Sequence, residues 1–222
     1  MKLTLLFVLG ACAVCAADVV PSGENLRYSI NWPSGLSLGE GRMSATRDNQ
    51  SWTYELQFEA GVPAFAIVDK FTSAVSGAGC STTFVKEMQH GRRKTKETLE
   101  FKDGTLTRQT DKGGKSQREV SGCARDALAF VYFVRRELAQ GRIPGSQDVH
   151  YGSAYRVKME FKGTQKVRVG EDIQDADRVM TYIKGPASDL TVELYFGKDA
   201  ARTPLMAKIP LGLATFSVEL VR

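Results

Sequence analysis

Apolar and polar side chains alternate with a period of two along most of this chain, and that rhythm restricts its fold more than any other feature. In residues 52–59, Trp52, Tyr54, Leu56 and Phe58 alternate with Thr53, Glu55, Gln57 and Glu59. In residues 155–162, Tyr155, Val157, Met159 and Phe161 alternate with Arg156, Lys158, Glu160 and Lys162. Leu26, Tyr28, Ile30 and Trp32 repeat the pattern near the start, and Leu190, Val192, Leu194 and Phe196 near the end. Two is the strand period, because successive side chains on a strand point to opposite faces. One apolar and one wet face per strand predicts antiparallel pairing, since parallel strands covered on both sides would be apolar throughout.

The punctuation agrees. Asp103-Gly104, between Phe101 and Leu106, is a strong two-residue hairpin signal. Gly113-Gly114, Gly163, Gly170, Gly185-Pro186 and Gly197 bound further runs. No repeat, low-complexity tract or Pro-rich linker divides the chain.

One segment breaks the rhythm. Asp126 is placed to N-cap a helix over residues 127–138, with Gly141 as its stop and Pro144 beyond. Leu128, Val131, Val134 or Arg135, and Leu138 share one face, and Phe130 and Phe133 widen the apolar surface. Arg135 and Arg136 fall near the end, where the helix dipole favours cations. A helix this apolar must be buried, and a curved sheet wrapped around it is the economical solution. The expected fold is therefore mainly β: a single highly curved antiparallel sheet, a spiral or half-barrel, around one α-helix.

Residues 1–17 have the layout of a secretory signal: Lys2, an apolar run interrupted only by Thr4, then small residues to Cys15-Ala16-Ala17. The segment is too short to span a bilayer. Cleavage near Ala17 is the favoured reading; the alternative is a lipobox at Leu9-Gly10-Ala11-Cys12, leaving a chain lipid-anchored at Cys12. Either route predicts an exported, periplasmic protein, with residues 18–222 as a single β-rich domain. No apolar run of membrane-spanning length follows. Export argues against nucleic acid and nucleotide cofactors, and no cofactor is expected. The formal charge of +5, reduced by one with Lys2 removed, suits solubility or contact with an anionic surface.

Cys80 and Cys123 are then the two cysteines left in an exported chain, and a disulfide between them is the default reading. Closing that loop removes unfolded-state entropy equivalent to about 4 kcal/mol. No CxxC spacing points to redox catalysis.

The sequence contains no GxSxG, HExxH or P-loop. His90 and His150 have no neighbours at metal-ligand spacing, so both are expected to be strand or surface residues, and no metal site is expected. Glu171, Asp172, Asp175 and Asp177 read as an exposed turn between Val169 and Val179 rather than a calcium loop. Arg92-Arg93-Lys94-Thr95-Lys96 reads as a solvated sheet edge, with anionic lipid or polymer as the other reading. Asp69 and the Asp199/Arg202/Pro204 set lack a partner nucleophile and read as ion-paired strand and turn ends.

Taken in order, these landmarks resemble the bacterial exported family called domain of unknown function 3108. They are Tyr28-x-Ile30-x-Trp32 with Gly35-x-x-x-Gly39-Glu40, Asp69-x-Phe71-x-Ser73, and Asp126-Ala127-Leu128-x-x-x-Tyr132-x-x-Arg135 with Gly141. The last set is Asp199-x-x-Arg202-x-Pro204 with Gly212 and Leu220. The resemblance implies a periplasmic β protein whose sheet closes over a helix, a shape that looks like the LolA/LolB lipoprotein carriers. It implies a groove for lipid or peptide, and it is a fold-level analogy.

The leading expectation is thus a non-enzymatic envelope protein that binds an apolar ligand between helix and sheet, with lipid, lipoprotein or another envelope protein as partner. Trp32, Phe71, Phe130, Val131, Phe133 and Val134 are the residues expected to line that groove. The alternative is a structural or protein-interaction protein with a filled core. A third reading, an envelope enzyme acting on glycan or lipid, needs a carboxylate pair assembled by the fold.

Overall fold

Each alternating segment forms a strand. In the computed structural model, which describes residues 19–62, 65–187, 189–212 and 214–221, the first half of the chain is a run of antiparallel strands. These are β1 (Glu24–Asn31), β2 (Ser37–Asp48), β3 (Ser51–Val62), β4 (Phe65–Val75), β5 (Ser81–His90), β6 (Arg93–Lys102), β7 (Thr105–Thr110) and β8 (Lys115–Glu119). A two-residue strand, β9 (Arg125–Asp126), leads directly into helix α1 (Ala127–Ala139). The second half contributes β10 (Gln147–Tyr151), β11 (Ser153–Val169), β12 (Asp172–Lys184), β13 (Asp189–Gly197), β14 (Pro204–Leu211) and β15 (Ala214–Val221). The leader, with Cys12 and Cys15, lies outside the described residues.

All fifteen strands belong to one sheet, in the order β8-β7-β6-β5-β4-β3-β2-β1-β15-β14-β13-β12-β11-β10-β9. The chain starts in the middle and steps outward by hairpins to β8. It then crosses to the opposite edge and steps back inward until β15 pairs with β1, Arg27 opposite Val221 and Asn31 opposite Ser217. Every pairing is antiparallel except β9 with β10. The Asp103-Gly104 hairpin forms as its sequence dictates: both residues have positive φ, +49° and +73°, and Lys102 faces Thr105.

The sheet is strongly curved and does not close, yet its two edges meet. The edges are consecutive in the chain, so the segment from β8 to β9 has to bridge only a short distance. Ser81 N–H donates to Ala124 C=O at 3.0 Å, and Cys80 is disulfide-bonded to Cys123 with Cα atoms 4.9 Å apart. Across the seam, Arg118 of β8 donates to His150 Nδ1 of β10 at 3.0 Å and to Gly152 C=O at 3.3 Å. Lys86 reaches over from β5 to Tyr151 C=O, while paired with Glu97.

Helix α1 lies inside the curl and divides the interior. Leu128, Ala129 and Tyr132 pack with Tyr28, Met43, Trp52, Phe84 and Leu99 into the larger core, where Tyr132 stacks on Tyr54 with ring centroids 3.7 Å apart. Phe130, Val134 and Leu138 face Val149, Val157, Met159, Val179 and Phe196 of the returning strands. Asp126 caps the helix, its carboxylate accepting from the N–H groups of Leu128 and Ala129, and Gly141 takes up φ +72° just past the C-terminal end.

Two surface expectations need correction. The acidic segment is a turn only at Gly170-Glu171; Asp175 and Asp177 sit on β12, and Asp177 is buried against Lys198, Arg202 and Thr164. The basic run is not on an edge strand, because β6 lies between β5 and β7. It still overhangs: β7 pairs only with residues 97–102, so the β7 side of residues 93–96 carries no ladder, and Asp111 satisfies Lys96 there.

Candidate functional site

The second face of α1 does not fill the space in front of it. Between Ala127, Phe130, Val131 and Val134 of the helix and strands β10–β13 lies a cavity of about 450 Å³. Strand alternation builds its floor: Val157, Ile183 and Leu190 face one another across β11, β12 and β13, and Met159, Thr181 and Val192 form the next rung. Val149, Tyr151, Tyr155, Leu194 and Phe196 complete the lining. No charged side chain lines it among the described residues, since alternation turns Arg156, Lys158 and Glu160 outward, where both lysines at 158 and 162 pair with Glu160. The volume falls in the range typical of small-molecule sites, about 300–1,000 Å³.

A frame of buried polar groups holds the helix over this space. Asp126, fully buried, accepts from the hydroxyls of Ser73 and Ser81 at 2.6 Å each, besides capping the helix. Burial raises its pKa, and those hydrogen bonds oppose the rise. At the other end Arg135, also fully buried, makes a two-pronged ion pair with Glu24 at 2.6 Å and donates to Ala201 C=O at 2.9 Å. Tyr132 Oη donates to Ser44 C=O and Tyr28 Oη to Pro204 C=O, both at 3.0 Å. His150 is buried at the seam beside Arg118, and burial first, then that positive charge, pushes its pKa down to about 4.

Of the six residues expected in the groove, the structure brings three to it: Phe130, Val131 and Val134. Phe133 lies on a neighbouring face of the helix, where the guanidinium of Arg125 sits 3.8 Å from its ring centroid and Arg136 covers it at 5.9 Å. Phe71 belongs to the larger core, stacked on Phe84, and meets the cavity only through Tyr151. Trp32 is outside the lining, in the turn that follows β1, 43% exposed and edge-on to Phe216. Sequence reasoning missed the β10–β13 wall, although Val157, Met159, Val192 and Leu194 are among the alternating residues it identified. What it lacked was the pairing that puts these strands under the helix.

The carboxylates that looked available are engaged. Asp69 meets His90 Nε2 at 3.0 Å, and Asp199 accepts from the backbone N–H and hydroxyl of Thr203. Among the described residues, no group of three or more His, Cys, Asp or Glu is positioned to hold a metal ion. No helix among them is long and apolar enough to cross a membrane.

A curled sheet wrapped around one capped helix, with an apolar cavity between them, defines a β-barrel-like protein. One solved structure of similar fold agrees: a structure described as a beta-barrel-like protein of domain of unknown function DUF1849 from Brucella abortus superposes with a TM-score of 0.68. That likeness covers 92% of this chain and 98% of the other at 8% identity, so it shows the fold alone. A candidate lipoprotein from Parabacteroides distasonis has a TM-score of 0.35 at 7% identity, covering 91% and 96%. A candidate exported protein with YmcC-like fold from Bacteroides fragilis has 0.36 at 8%, covering 90% and 95%. No curated protein matches the sequence. The chain belongs to the family described as Protein of unknown function (DUF3108), whose model matches residues 27–221.

Proposed function

We propose that this protein is a non-enzymatic envelope protein that holds an apolar ligand, a lipid acyl chain or an apolar peptide segment, between α1 and strands β10–β13. The observation that carries the reading is the cavity: about 450 Å³ left unfilled beside a helix whose other face is tightly packed. Protein interiors hold few spaces of this size, because each group lining an unfilled space forfeits dispersion contacts. The engagement of Asp69, Asp177 and Asp199 by neighbouring side chains or backbone supports the non-enzymatic part. The leader-like residues 1–17 and the disulfide support export to an oxidising compartment, with residues 18–222 acting as one unit.

Titration with N-phenyl-1-naphthylamine, an uncharged apolar fluorophore of a size the cavity can hold, tests this reading. Wild-type protein should bind the probe with enhanced, blue-shifted emission at micromolar concentration. Val131→Trp, which fills the cavity from a partly buried helix position, should weaken binding at least tenfold and leave the unfolding transition in place. Phe133→Leu, outside the lining, should bind as wild type. No emission change with wild-type protein, or equal binding by Val131→Trp, would rule out the cavity as the site.

A second reading has one observation in its favour. The residues that carry the family resemblance are largely bonded to the scaffold itself: Ser73 to Asp126, Tyr28 to Pro204, Arg135 to Glu24. A protein whose motifs only close the barrel would be a structural or interaction module. Under that reading no variant of the lining alters probe binding.

A further inference from the structure

We infer that the rim where strands β1 to β6 reverse direction docks on an anionic lipid bilayer. Trp32, Leu36 and Phe65 enter its interface, and Arg92, Arg93 and Lys94 meet its headgroups. The inference does not depend on the cavity. Strand pairing gathers these residues: Asn31 faces Ser37 across the first reversal, Val62 faces Phe65 across the second, and His90 faces Arg93 across the third. Gly39 faces Ala60 and Ile67 faces His90, so the three reversals are neighbours along one rim. Six strands at about 4.8 Å spacing make that rim about 24 Å long.

The apolar side chains there are exposed yet held in place. Trp32 is 43% exposed, Leu36 66% and Phe65 46%. Trp32 N–H donates to Leu36 C=O at 2.9 Å, and its ring meets that of Phe216 edge-on with centroids 4.8 Å apart. Gly91 N–H donates to Ala66 C=O at 2.7 Å. The Phe65 ring lies 3.2 Å from where a Cβ on Gly91 would sit, so the glycine makes room for it. Single exposed apolar residues are ordinary, but three on one rim form a surface. Of the other large ones, Val68 lies behind Phe65 on β4, and Phe161, Ile173, Tyr182 and Val221 are on β11, β12 and β15.

Charge identifies the partner. Arg92, Arg93 and Lys94 are exposed and form no ion pair among the described residues. The nearby carboxylates are engaged, Asp69 with His90 and Glu87 with Lys96. Glu40 and Glu59 face each other three residues back from the strand ends, about 10 Å from the rim. An anionic bilayer matches both halves of this surface. Its headgroups attract the cations, and its boundary with the acyl chains takes up apolar side chains, tryptophan especially. A soluble acidic polymer would meet the cations and leave the three apolar side chains in water.

Co-flotation with vesicles of phosphatidylcholine containing about one-third phosphatidylglycerol tests the inference. Wild-type protein should float with them, lose binding as salt is raised, and stay behind with pure phosphatidylcholine. Trp52 is buried, so a blue shift of tryptophan emission on binding reports Trp32. The triple change Arg92→Glu, Arg93→Glu, Lys94→Glu should weaken binding by at least about tenfold. Leu36→Asp with Phe65→Asp should weaken it by at least about fivefold. All five positions are exposed, so both variants should unfold at the wild-type temperature, and Ile173→Asp on β12 should bind as wild type. Absence of wild-type binding to the anionic vesicles, or undiminished binding by either rim variant, would overturn the inference. Equal binding to dextran sulfate, with Leu36→Asp and Phe65→Asp without effect, would assign the cations to an anionic polymer instead.

Discussion

At the scale of single residues, the decisive groups are ions and dipoles buried far from their sequence neighbours. Arg135 shares the helix face of Leu128 and Leu138, so its burial was legible in the spacing. Its partner was not, because Glu24 lies 111 residues away. Sequence reasoning assigned Arg135 to the helix dipole; the structure makes it a fully buried cation neutralised by Glu24. Removing one partner strands the other charge, so Glu24→Ala should cost about 3–5 kcal/mol in urea unfolding. Glu24→Leu with Arg135→Met should be much less destabilised than the sum of the single changes. Additive losses would show that the two charges do not depend on each other.

His150 makes a second residue-scale prediction. Its folded pKa of about 4 lies below the ordinary value of 6.5, so it stays neutral and accepts from Arg118 while the unfolded chain takes up a proton. The stability it contributes is therefore fully present above pH 6.5 and is lost as pH falls toward 4, on the order of 3 kcal/mol in all. His150→Gln should flatten that part of the stability-versus-pH curve. An unchanged slope between pH 6.5 and 4.5 would assign the acid sensitivity to other groups.

At the scale of elements, what was local was legible. The helix was readable because its cap, its apolar face and its terminating glycine all lie within residues 126–141, and the structure gives it as Ala127–Ala139 with Asp126 as cap. Strands with strict alternation were readable for the same reason. The two-residue β9, the overhang of β6 and the seventeen-residue β11 were not, since each is set by its partner strands rather than by its own pattern. The disulfide pins the start of β5 to the approach to β9 and α1 across a separation of 43 residues. Reduction, or Cys80→Ala with Cys123→Ala, should lower stability by about 4 kcal/mol in the chain-entropy account. A loss below about 1 kcal/mol would mean that the Ser81 and Asp126 network already holds this junction.

At the scale of the whole molecule, the fold follows from running a meander outward from the centre of a sheet and back in from its far side. Short hairpins make most neighbour pairs predictable, but the pairing of β1 with β15 and the meeting of the two edges are long-range and leave no local mark. Those two facts place the β10–β13 wall beneath α1, and so create the cavity. This is why half of the expected groove residues were found there and Trp32, Phe71 and Phe133 were not. Native mass spectrometry of the protein purified from its own host, without delipidation, tests the central claim most directly. The account predicts a non-covalent adduct of acyl-lipid mass on wild-type protein that is absent from Val131→Trp. Wild-type protein carrying no adduct, or the same adduct retained by Val131→Trp, would contradict it.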